Sequence, residues 1–80
     1  MTREELERAA LMLEEAASEL ERALGHCRVA AEHFRNVEQP RATAHAWAAR
    51  GHILKAEALL DEQARQHSGK ALLPGDEGYR

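Results

Sequence analysis

Asn36-Val37-Glu38-Gln39-Pro40 decides the fold, because one long helical pattern must stop before it and another begin after it. Proline has no N–H to donate and its ring clashes with the preceding turn, so it cannot continue a helix, yet it suits the first turn of a new one. The stretch therefore reads as a hinge over residues 37–40.

Working back from the hinge, apolar residues recur at alternating spacings of four and three: Leu6, Ala10, Leu13, Ala17, Leu20, Leu24, Cys27, Ala31 and Phe34. That spacing predicts a helix over about residues 3–36, with Ala9, Ala16, Ala23 and Ala30 widening its apolar stripe. Thr2 followed by Glu5 is a capping-box signature, and Glu4, Glu5 and Glu7 suit the positive end of a helix dipole. Gly25 interrupts the pattern without ending it.

Working forward, the second helix is expected over about residues 41–67, with Ser68-Gly69 as its stop and 70–80 as a flexible tail. It carries two apolar lines. Ala42, Ala46, Ala49, Ile53, Ala56 and Leu60 form the first; Ala44, Trp47, Gly51, Leu54 and Ala58 form the second; Thr43, Arg50 and Glu57 run between. A lone hairpin needs only one apolar line per helix, so the spare face predicts self-association. The fold class is all-α: an antiparallel hairpin of two long helices, expected to dimerise into a four-helix bundle.

A short hinge makes the helices antiparallel, so residues whose numbers sum to about 78 should lie level. On that rule Ala31 meets Trp47, Cys27 meets Gly51, Leu24 meets Leu54 and Leu20 meets Ala58, small against large as an interdigitated core requires. Gly25 and Gly51 fall almost level, which predicts the closest approach of the helices there.

With 80 residues the chain sits where a single core barely offsets the entropy of ordering, and a metal, a disulfide or oligomerisation usually helps. One cysteine leaves no disulfide to make within the chain. No signal peptide and no membrane span is legible, which fits a reducing, cytoplasmic setting. The excess of Arg over Lys and the abundance of Ala fit a GC-rich bacterial genome.

Charge is unevenly spread. Residues 1–24 hold seven acidic and three basic side chains, whereas residues 25–55 hold two acidic, five basic and four of the five histidines. The net charge of -3 and the lack of a dense basic stripe argue against nucleic acid as a partner.

His26 and His33 are seven apart, as are His45 and His52, and the level rule sets His33 beside His45 and His26 beside His52. Imidazole suits Zn, Cu or Ni, so these four are the candidate metal ligands. Their directions oppose that reading: His26 and His33 sit at the margin of the first stripe, and His45 and His52 point away from both lines of the second helix. No resident cofactor is expected. No phosphate-cradling glycine loop, no nucleophile with a placed base and no paired carboxylates in an apolar pocket is legible, so no enzyme is expected. Trp47, Leu54, Arg50 and Glu57 are the candidate interaction residues, with the charged pair read either as bridging a dimer or as solvent-exposed rim charges.

Trp47-Ala48-Ala49-Arg50-Gly51-His52-Ile53-Leu54 is similar to the start of a tetratricopeptide repeat, with Trp and Gly at the expected separation. The likeness covers about a quarter of the chain, has no second copy and lacks a helix break after Leu54, so it assigns no family. The expected function is a small non-enzymatic oligomerisation or protein–protein interaction module, its partners being itself and another protein. The alternative is a histidine-based transition-metal-binding bundle.

Overall fold

Two helices account for nearly all of the structure, α1 over Arg3–Arg35 and α2 over Gln39–His67. A computed structural model describes residues 1–67, 73–75 and 77; the expected Ser68-Gly69 stop and most of the expected 70–80 tail lie outside the described residues. Thr2 caps α1, its side-chain oxygen accepting from the Glu5 N–H at 3.1 Å. The two helices pair as an antiparallel hairpin, since partners on α1 fall in number (33, 26, 19, 12) as those on α2 rise (45, 52, 63).

The turn is tighter than the proline alone implies. Val37 N–H donates to the Phe34 carbonyl at 3.1 Å and Glu38 N–H to the His33 carbonyl at 2.8 Å, which is a Schellman ending with Asn36 as cap. The Ala42 N–H already bonds the Glu38 carbonyl, so Pro40 lies within the first turn of α2 and the hinge shrinks to residues 36–38. The second helix thus starts two residues before the expected 41, because proline tolerates a place where N–H groups have no helical partner.

Val37 takes the left-handed position of this ending, with φ of 60° and the residue 90% exposed. Glycine is the usual occupant, since a β-branched residue at positive φ is strained by roughly 1–2 kcal/mol. Val37→Gly should therefore stabilise the hairpin by about 1 kcal/mol, read as a higher midpoint in urea; an unchanged or lower midpoint would contradict the strain.

The interior of the hairpin is not the leucine seam. Its fully buried side chains are six alanines: Ala16, Ala23 and Ala30 on α1, and Ala42, Ala49 and Ala56 on α2. Between them stand half-buried residues at spacings of three and four, Met12, Glu19, His26 and His33 on α1, and His45, His52 and Leu59 on α2. Leu13, Leu20, Leu24, Phe34, Trp47 and Leu54 are exposed, as is Cys27. The level pairing thus holds for the chain, but the side chains expected to meet, Ala31 with Trp47 or Cys27 with Gly51, face elsewhere. A methyl group lets two helix axes come to the short end of their usual 8–10 Å separation, and the leucine line is left about 100° further round α1.

The glycines do not mark the closest approach either. A Cβ added at Gly25 or Gly51 would meet no atom of the opposite helix within 4 Å, so neither glycine is where the helices touch. The result is a slab of 59 × 29 × 13 Å. Its thickness is about that of one helix. Its radius of gyration of 18.5 Å compares with about 12 Å for a globule of this length.

Candidate functional site: a histidine file and an apolar face

Because alanine fills one position of the inward heptad, the other inward position sets what lies along the seam. On both helices near the hinge that residue is histidine. The four rings stand in one file along the seam. His33 stacks on His45 with centroids 5.5 Å apart, and His26 stacks on His52 at 5.4 Å. His45 and His26 join the two stacks through an Nδ1 to Nδ1 hydrogen bond of 2.9 Å, in which one ring donates and the other accepts according to tautomer.

A glutamate closes each end. Glu19 Oε2 lies 2.5 Å from His52 Nδ1, and Glu38 Oε2 lies 3.5 Å from His33 Nδ1. The Schellman turn is what delivers Glu38, since the bond from its N–H to the His33 carbonyl sets the two residues together. Glu38 also receives Arg41 at 3.0 Å. His33 Nδ1 is sheltered from solvent and forms no hydrogen bond, leaving Glu38 as its nearest charged partner.

The hydrogen bond from His52 holds the Glu19 carboxyl below its ordinary value of 4.5. Partial burial opposes that shift, and the positive charges of His52, Lys55 and Arg22 assist it. A depressed carboxyl contributes stability that is present above its ordinary value and is lost as the pH falls through its lower, folded-state value.

These are the four candidate metal ligands, and the structure brings all of them together, against the expectation that their directions diverge. The arrangement is nevertheless one of rings bonded to each other and to carboxylates. Among the described residues no three His, Cys, Asp or Glu side chains converge as a metal ion requires. The hydrogen bond between the Nδ1 atoms of His26 and His45 takes up the lone pair of whichever ring accepts, so that ring has none left for a metal.

The second feature is the apolar surface. In an antiparallel pair an approximate twofold axis normal to the slab relates the helices, so equivalent heptad positions fall on the same side. The positions four residues after the seam alanines are Leu13, Leu20, Cys27 and Phe34 on α1, and Ala46, Ile53 and Leu60 on α2. They therefore share one side of the slab, joined at the edge by Leu24 and Ala31. All but Ile53 and Ala31 are exposed.

Trp47, 71% exposed, and Leu54 belong to a different strip, on the flank of α2 away from this face. Arg50 and Glu57 lie between the two and bond each other at 3.4 Å within α2, which spans two helical turns without a second chain. At the open end of the hairpin Met1, Glu5, Arg8, Met12, Gln66 and His67 line an open cleft of about 400 Å³ that gathers no nucleophile with a base. No helix among the described residues is long and apolar enough to cross a membrane. Comparison with protein-family models, with curated proteins and with solved structures yields no match.

Proposed function

We propose that the chain is a non-enzymatic assembly module that acts as a homodimer, two hairpins stacked through the shared leucine face into a four-helix bundle. The observation that carries this reading is the exposed area. The whole chain, hairpin and C-terminal segment together, presents 6388 Å² to solvent, against about 4,800 Å² for a folded monomer of its length. The surplus of roughly 1,600 Å² is about twice what each partner gives to an interface of standard size, so the leucine face need supply only about half of it.

The arrangement of lines supports the same geometry. A helix in a four-helix bundle touches two neighbours, on faces about a right angle apart. On α1 the middle of the seam, between its alanine line and the Glu19, His26 and His33 line, stands in about that relation to the middle of the stripe of Leu13, Leu20 and Leu24. Stacking two slabs also turns a layer one helix thick into two layers enclosing a core, the usual architecture of a stable domain. The Trp47 and Leu54 strip stays outside such a dimer and is the surface from which the module meets another protein.

Size exclusion coupled to light scattering should give twice the chain mass at micromolar concentration. Cys27 lies on the buried side of the proposed dimer, so its reaction with a thiol reagent should be slow there and speed up on dilution. A folded monomer whose thiol reacts at one rate at all concentrations contradicts the reading.

A further inference from the structure

The histidine file has a property that neither dimerisation nor packing requires: its contacts depend on how many protons it holds. We infer that the file is a proton-operated latch, closing the hairpin at neutral pH and releasing it as pH falls through the imidazole range.

The inference follows from counting charges along the seam. The titratable and charged side chains along the file are Glu19, Arg22, His26 and His33 from α1, and Glu38, Arg41, His45, His52 and Lys55 from the turn and α2. Two carboxylates stand at its ends, so His52 and His33 can each take a proton against an opposite charge. Among the described residues no carboxylate is bonded to the inner pair. The bond between His26 and His45 needs one unprotonated Nδ1. When both rings are cationic, two N–H groups point at each other across 2.9 Å, each ring also stacked on a protonated neighbour. Arg22, Arg41 and Lys55 add to the repulsion.

The seam has little with which to resist, since its fully buried side chains are alanines alone. The two N–H groups that would face each other in the closed hairpin are free to part in the open one, so when this repulsion outweighs the two outer His–Glu contacts stability rises with pH across the interval in which imidazole titrates. The direction is opposite to that of a single His–Glu pair, which an added proton strengthens. The latch rests on the seam within one chain and not on the dimer. Its release would also dismantle the leucine face, which both helices build.

The test is thermal melting of the full chain by circular dichroism at pH 7.5, 6.5 and 5.5, at constant salt, with light scattering at each pH. These values bracket imidazole and stay above the ordinary glutamate value of 4.5. The melting temperature should fall by roughly 5–10 °C from pH 7.5 to 5.5. His45→Gln, which keeps a hydrogen-bonding side chain without a titratable ring, should lose at least half of that fall. His67→Gln, outside the file, should keep all of it.

A wild-type melting temperature that is unchanged between the two limits overturns the latch, and this holds even if the His45→Gln chain does not fold. An equal fall in His45→Gln and wild type overturns it as well. So does a loss of dimer mass at low pH with helicity and melting intact, which would put the pH dependence at the interface between chains.

Discussion

Leu20→Lys should convert the proposed dimer to monomer. Leu20 is 46% exposed in the single hairpin and sits mid-way along the leucine line of α1. In a four-helix bundle it would be surrounded by apolar side chains of the second copy. Replacing it removes the transfer energy of a buried leucine and places a charge where no carboxylate is at hand, about 3 kcal/mol per site. Both chains carry the change, so roughly 6 kcal/mol is lost per dimer and the dissociation constant rises about four orders of magnitude. Light scattering at 10–100 µM then reads one chain mass.

The control is Leu11→Lys. Leu11 is also exposed, but lies on the side of α1 away from the shared face, and its replacement should leave the proposed dimer intact. The Trp47→Lys chain discriminates further. If it alone dissociates, the two copies meet through the outer strip of α2 and the leucine face is not the interface.

Much of the hairpin is legible in the residues alone. Pro40 announced the break, Thr2 with Glu5 announced the start, and the level rule set His33 beside His45 and His26 beside His52 as the structure has them. What the pattern did not settle was which apolar line turns inward. Size argued for leucine and tryptophan, because large side chains usually fill cores. In a pair of lone helices the competing consideration is closeness of approach, and alanine wins that contest when the large side chains have another surface to cover.

The signal that would have found the seam was present. Residues 9, 12, 16, 19, 23, 26, 30 and 33 alternate three and four without a break, as do 38, 42, 45, 49, 52, 56, 59 and 63. One position of each repeat is mostly alanine and the other mostly histidine, glutamate or methionine. Reading polar residues as outward by default hid it. The divergence expected of the four rings was wrong for the same reason, since it took the leucine line as the inward direction of α1.

Ala49→Leu makes the inward alanine line falsifiable on its own, because its sign depends on where the residue points. On an open helix face leucine is nearly as good a helix former as alanine, and the change would fall within a few tenths of a kcal/mol. Ala49 is 3% exposed, set between the two axes. Three extra carbons there cannot be housed without spreading the helices, which costs about 1–3 kcal/mol for overpacking alone. The spreading also opens the file, since His45 and His52 flank Ala49 on the same helix and their partners stand on α1. The expected result is a melting temperature lower by roughly 10 °C or more at pH 7.5. It should come with a smaller dependence on pH than wild type, because a seam already opened has less to lose on protonation. Ala44→Leu, on the exposed side of α2, should do neither. Were Ala49→Leu to stabilise the chain instead, the alanines would not be the seam, and the histidines would have no reason to stand in file.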